Sequence, residues 1–319
     1  MTSFDDQVPD PPGQPESPSG EDSPAAEPGS PSPEVVADPI SYTEAQLPPP
    51  GTPPPPDETV PEDLRIFWSW SHFVLFLFFG VVSFVVTQLA AAVYLSTQVS
   101  GRRLSAAELQ QFLSSKPQIA IGANLLLFAL IFLFLYVTIS VLHNRPFWRS
   151  LGWRKLGGSA PVAQVSRSPW IFFFAGSALA IGVAMVSSTM HTPENLPIQE
   201  LFKNRTGAIL LMSMAVLVAP LVEETVFRGY LYPLFAKTFG TLSGIGLTGL
   251  LFGLMHGWQL GWTYGLVIML VVVGVIFTYV RARTGTVFAS FLMHLGYNSM
   301  IAISTIIATH GFTHMPVKP

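Results

Sequence analysis

Half of the 319 residues are hydrophobic, 11% are charged and none is cysteine, whereas soluble domains are roughly one-quarter charged. Disulfides, thiol catalysis and Cys-ligated metals are thereby excluded. The net charge of −3 conceals a division. Residues 1–64 hold fourteen of the nineteen acids, eighteen of the 28 prolines and no Lys or Arg, so all sixteen basic residues lie beyond them, beside only Glu108, Glu194, Glu200, Glu223 and Glu224.

The opening stretch, 1–63, is rich in Pro, Ser, Asp and Glu, with Phe4 and Tyr42 as its only aromatics. It has too little apolar surface to offset chain entropy, so a disordered acidic tail is expected over 1–64. Its proline runs favour polyproline II locally, as a solvated spacer rather than a ligand for a Pro-binding domain. It lacks the basic start and apolar centre of a signal peptide.

From Phe67 onward the chain repeatedly supplies the roughly 20 apolar residues that a bilayer-spanning helix needs. Spans are expected near 67–97, 117–142, 169–189, 207–235, 240–258, 262–280 and 286–309. An all-α membrane protein of about seven helices around a polar cavity is expected. Residues 65–164 form the first two helices and a basic loop, and 165–319 the core that carries the chemistry. Trp68, Trp70, Trp148, Trp153, Trp170, Trp258 and Trp262 fall near span ends, where interfacial aromatics sit.

Seven spans place Arg65, Arg145, Arg149, Arg154, Lys155, Arg167, Lys237, Arg281 and Arg283 on the side of the N-terminal tail. Arg102, Arg103, Lys116, Lys203, Arg205 and Lys318 lie opposite. Nine against six favours a cytoplasmic tail. Membrane lipids and a peptide or lipidated protein are the expected partners, and nucleic acid is not.

Ionisable groups in lipid cost about 2.5–3.5 kcal/mol each on insertion, so they mark bundle interiors or wet cavities. In the fourth span Glu223 and Glu224 stand side by side, and Arg228 follows Glu224 by four residues, on the same helical face. Glu223 points about 100° away from that pair. Two adjacent carboxylates resist joint ionisation, and an arginine on one divides their roles into an anchored anion and a potential base. The fifth span ends in Phe252-Gly-Leu-Met-His256, and the seventh holds His294-Leu-Gly-Tyr-Asn298. A single histidine in a helix is usually a satisfied core residue. Scattered burial of all these groups would leave several unsatisfied, at roughly 1–3 kcal/mol each, so one shared hydrated pocket is expected. A straight fifth span from Phe239 carries His256 about 24 Å along, with Glu223 nearly as far down the antiparallel fourth. On that count the two lie at opposite depths, so a break at Gly240, Gly244 or Gly246, or a later helix start, is expected.

Glu-Glu-x-x-x-Arg, Phe-x-x-x-His and His-x-x-x-Asn, in this order on successive apolar segments, resemble the three motifs of the CAAX-protease and bacteriocin-processing (CPBP) family. That family includes the CAAX prenyl endopeptidases and the bacterial Abi proteins. Pro220, Gly229 and Arg283-Thr284-Gly285 extend the match, which covers about 165–310. The resemblance implies an intramembrane endopeptidase acting on a membrane-associated substrate, prenylated in the best-known cases. Glu223 would be the base that activates water, supported by Glu224 and Arg228, with His256 holding the water or a metal. His294 and Asn298 would stabilise the oxyanion. The family's metalloprotease name leaves zinc open, with Glu223, His256 and His294 as candidate ligands.

Other protease chemistries lack their residues. There is no His-Glu-x-x-His and no Asp after Asp63 for a paired-aspartate mechanism. Ser243 lacks the flanking pattern of a rhomboid-like nucleophile. Two non-protease alternatives remain open at this level: a non-catalytic Abi-like scaffold or immunity protein, and a transporter or proton relay, which also uses intramembrane Glu, Arg and His.

Overall fold

In the computed structural model, the residues described are 64–98, 105, 108, 116–157, 168–190, 196–198 and 205–313. All belong to one unit, Pro53–Pro319. The acidic tail expected over 1–64 lies outside them except for Leu64.

Eight continuous helices form among these residues, and no strands. They are α1 Trp70–Gln98, α2 Pro117–Leu142, α3 Phe147–Ser150, α4 Pro169–Ser187, α5 Arg205–Phe239, α6 Thr241–Met255, α7 Tyr264–Thr284 and α8 Val287–Ala308. Six of them, all but α3 and α6, are long and apolar enough to cross a bilayer. The chain is a multi-pass membrane protein. Large side chains on α1 such as Val74, Phe78 and Val81 face outward, as lipid-facing residues do.

The expectation of seven spans is corrected to six plus one short helix. The span expected over 240–258 is a 15-residue helix, about 22 Å long against a hydrocarbon core of about 30 Å. It ends because the chain turns sharply at its C-terminus. His256 is the cap, and Trp262 N donates back to Gly257 O at 2.8 Å.

The expected discord in depth between Glu223 and His256 does not arise. The α5–α6 hairpin turns at Gly240, whose φ of +86° suits glycine, and α6 runs unbroken through Gly244 and Gly246. Glu223 precedes the turn by 17 residues and His256 follows it by 16. Positions equally far from a hairpin turn lie at the same depth, so no further break is needed.

Helix α5 is not uniform. It is α-helical over Arg205–Leu217, interrupted at Val218, α-helical over Ala219–Glu223, π-helical over Glu224–Leu231 and α-helical again over Tyr232–Phe239. Pro220 lacks an N–H and crowds the carbonyl four residues earlier, which explains the interruption. π-helical turns within an α-helix occur mostly at functional sites, and this one contains Glu224 and Arg228.

Glycines let the core helices approach at backbone distance. A Cβ on Gly249 would lie 2.6 Å from Val275 N, and one on Gly253 2.7 Å from Val271 N, which locks α6 onto α7. Between α4 and α8, side chains at Gly176 and Gly296 would collide with the carbonyls of Met293 and Phe173. Ser177 Oγ donates to Gly296 O across the same contact, at 3.1 Å. Helix α7 closes on Gly285 in the left-handed region, with Gly285 N donating to Arg281 O at 3.0 Å. Thr286 then caps α8 by accepting from Phe288 N at 3.1 Å. This turn fixes where α8 starts, and hence the depth of His294.

Candidate active site

Glu224 and Arg228 are both fully buried. Arg228 Nη1 donates to Glu224 Oε1 at 2.9 Å, the pairing expected from their spacing. Its other two nitrogens also donate: Nη2 bonds Gly274 O at 2.9 Å and Nε bonds Thr278 Oγ1 at 3.2 Å, both on α7. The guanidinium lies 4.5 Å from the centre of the Phe252 ring and 5.4 Å from that of Phe277. A charge without water is tolerable when it is paired, hydrogen-bonded and covered by aromatic faces.

His294 reaches this pair from α8. Its Nδ1 is 3.0 Å from Glu224 Oε1. A carboxylate held by arginine accepts, so Nδ1 carries the proton. The other ring nitrogen, Nε2, lies 3.7 Å from Glu223 Oε2. His256 approaches from the end of α6, with Nε2 3.9 Å from Glu223 Oε1. Its Nδ1 is 2.8 Å from the Phe252 carbonyl, which can only accept. Nδ1 is therefore the donor, and a neutral His256 directs the lone pair of Nε2 towards Glu223.

The two carboxylates thus differ in surroundings. Glu224 is sealed at 0% exposure, whereas Glu223 is 19% and His256 22% exposed. Glu223 and His256 form the accessible side of the cluster, and Glu224, Arg228 and His294 form its interior. The structure brings together five of the six residues expected from sequence. Asn298 sits one turn beyond His294, and its Nδ2 donates to Ala215 O on α5 at 2.8 Å, just before the Val218 interruption.

Three members of the cluster were not foreseen. Thr278 and the Gly274 carbonyl hold the guanidinium, and Thr278 Oγ1 also donates to Gly274 O at 2.7 Å. Ser290, fully buried one turn before His294, has its hydroxyl within reach of the Glu224 carboxylate while donating to Val287 O at 3.1 Å. Glu224 Oε2 itself has no hydrogen bond. Spacing gave a usable signal in both cases: Ser290 is four before His294, and Thr278 is four after Gly274.

Zinc at Glu223, His256 and His294 finds no support in this geometry. Two donors about 2.0–2.1 Å from one tetrahedral zinc lie about 3.4 Å apart, but the Glu223 contacts are 3.7 and 3.9 Å and use different oxygens, one turned to each imidazole. Among the described residues no group of three His, Asp or Glu side chains is placed to hold a metal ion.

Residues 205–300 match the family model described as type II CAAX prenyl endopeptidase Rce1-like. That interval runs from the first residue of α5 into α8 and contains all six expected site residues. No curated protein and no solved structure matches the chain. Over residues 205–300 the chain therefore carries a domain of the Rce1-like type II CAAX prenyl endopeptidase family, a family of proteases.

Proposed function

We propose that this protein is an intramembrane endopeptidase in which Glu223 activates water for attack on a peptide bond. The observation that carries the proposal is the convergence of the partly exposed Glu223 carboxylate with the Nε2 atoms of His256 and His294 at 3.9 and 3.7 Å. These gaps exceed a hydrogen bond and suit a water that touches all three groups.

Such a water donates one proton towards Glu223 and the other towards the lone pair of His256 Nε2. Its own lone pair is then free to attack the scissile carbonyl. As the O–C bond forms, the proton passes to Glu223 and negative charge develops on the carbonyl oxygen. His294 is the donor available to that oxygen. With Nδ1–H directed at Glu224, donation to the oxyanion requires a proton on Nε2 as well. Donors fixed in place before charge develops are the largest contribution in acyl-transfer catalysis. The second N–H of Asn298, not used by Ala215, is the further candidate donor. Collapse breaks the C–N bond, and Glu223 returns its proton to the departing amine. Glu224 and Arg228 take no part in bond making. They hold His294 and keep the interior charge paired. No step requires a metal.

The family's name directs the substrate test. Purified protein in nanodiscs, offered a prenylated peptide ending in a CAAX sequence and the same peptide without the prenyl group, should cut at least one. Cleavage should vanish in Glu223→Gln. An unchanged rate in Glu223→Gln overturns the mechanism. Failure to cut any membrane-anchored peptide overturns the enzymatic assignment. We also place the N-terminal tail on the cytoplasmic side: up to the end of α5, where the short α6 does not affect the count, seven basic residues fall on the tail's side and five opposite.

A further inference from the structure

Two tryptophans outside the cluster bracket the π-helical stretch of α5. Trp153, in the loop after α3, donates its indole N–H to Thr225 Oγ1 at 3.2 Å. Trp68, in the extended segment before α1, donates to Tyr230 O at 3.1 Å and stacks on the Tyr230 ring, with centroids 5.3 Å apart and planes 22° from parallel. The π stretch covers Glu224–Leu231, so one indole grips its second residue and the other its seventh. Glu224 and Arg228 lie before and between them.

A π-helix needs such support. It is rare because its geometry is poorer than the α-helix it displaces, and it survives only where surroundings favour it. Relaxation to α-helix would rotate Glu224 relative to Arg228 and both relative to Glu223, which stays in the α-helical part. The bonded groups are suited to resisting this. Tyr230 O is a backbone acceptor whose position depends on helix type. Thr225 Oγ1 is tied to the backbone of its own helix through donation to Leu221 O at 2.7 Å. The indoles are themselves held. Trp68 is 3% exposed in the cluster with Phe76, Leu135 and Ile139, and Trp153 packs on Phe291 of α8 with ring centroids 5.3 Å apart.

We propose that Trp68 and Trp153 are positioning residues that hold the π-helical register of α5 through their indole N–H groups, and so fix Glu224 and Arg228 relative to Glu223. This rests on the function proposed above only for its catalytic consequence. The register itself has a readout independent of cleavage.

The experiment uses full-length protein in nanodiscs, as wild type, Trp68→Phe, Trp153→Phe, the double variant and, as control, Trp170→Phe, whose side chain is 64% exposed on α4. Phenylalanine keeps an aromatic ring and removes the N–H. Amide exchange is followed over residues 224–231 and over α8. Losing one hydrogen bond should accelerate exchange in 224–231 about five-fold, and losing both about thirty-fold, with α8 unaffected. If the protein cleaves, kcat should fall by similar factors at constant KM, and Trp170→Phe should match wild type. Thr225→Val, which removes the acceptor and leaves Trp153 in place, should reproduce Trp153→Phe. Unchanged exchange over 224–231 in the double variant overturns the proposal even where the enzyme is active. Acceleration spread equally over α8 also overturns it, since the indoles would then be ordinary packing. Absence of cleavage in every form sinks the proposed function and leaves the exchange result to decide the register.

Discussion

Replacing Arg228 tests the interior of the cluster most directly. In Arg228→Met the side chain keeps similar length and loses its charge. Glu224, at 0% exposure, then loses its 2.9 Å partner. Removing one member of a buried ion pair costs about 3–5 kcal/mol, chiefly by leaving the other charge unpaired. The loss of guanidinium stacking on Phe252 adds up to about 2 kcal/mol. The Gly274 carbonyl contributes little, because it still accepts from Thr278 at 2.7 Å. Glu224→Gln should cost somewhat less, about 3 kcal/mol. Its amide oxygen still accepts from His294, and the arginine keeps Gly274 and Thr278. The informative variant is the double one. With both charges gone nothing is left buried and unpaired, so Glu224→Gln/Arg228→Met should cost no more than about 3 kcal/mol, well below the sum of the singles. Reversible unfolding in mixed micelles by added SDS measures all three against wild type. Additive losses would refute the reasoning, as would an Arg228→Met cost below about 1 kcal/mol, because either means that the charges are solvated.

Glu223→Gln should leave stability near wild type, since that carboxylate is partly exposed, and lower kcat by about 10²–10⁴ as expected for loss of a general base; equal loss of stability in the unfolding assay would make it structural instead. Gly274→Ala places a Cβ 2.9 Å from Gly249 O and 3.0 Å from Phe252 Cδ1, which should cost about 1–3 kcal/mol by overpacking and show as a lower melting temperature. Prolonged chelation followed by buffer exchange should leave cleavage unchanged; loss that returns on adding zinc would reject the water-only mechanism. Because the chain has no cysteine, Ser19→Cys provides a unique label site, and it should react with an impermeant maleimide in inside-out but not in intact cells.

The pieces legible in the sequence are those fixed by spacing along one helix. Glu224 and Arg228 had to share a face because they are four residues apart within an apolar run, and their polarity in lipid required that pairing. The gathering of His256 and His294 beside them followed from the cost of burying polar groups separately. Thr278 and Ser290 escaped notice because a hydroxyl in an apolar helix usually bonds its own backbone four residues back. Thr278 does this as well, and only the approach of α7 to α5 gives it a second task. Helix type was equally hidden. Nothing in Glu224-Thr-Val-Phe-Arg-Gly-Tyr-Leu231 distinguishes π from α by periodicity over so short a stretch.

Depth shows most clearly how chain arithmetic and topology interact. His256 lies about 24 Å from the Gly240 turn at 1.5 Å per residue, and Glu223 lies one residue farther on the other side. Measured along the chain they are 33 residues apart; measured across the hairpin they are neighbours. The same counting places His294 only seven residues beyond Val287, the first residue of α8. The Gly285–Thr286 turn must therefore sit far deeper along α5 than Gly240 does. A Cβ on Gly229 would lie 2.8 Å from Leu151 O, and Val287 N donates to Gly152 O at 2.9 Å. Consecutive residues Leu151 and Gly152 thus tie the α7–α8 turn to the middle of α5, within the π stretch. The loop after α3 consequently sets the level at which His294 meets Glu224, and its residue Trp153 grips the same stretch two positions later. The basic loop between α3 and α4 is thereby part of what aligns α8 with α5, and so His294 with Glu224.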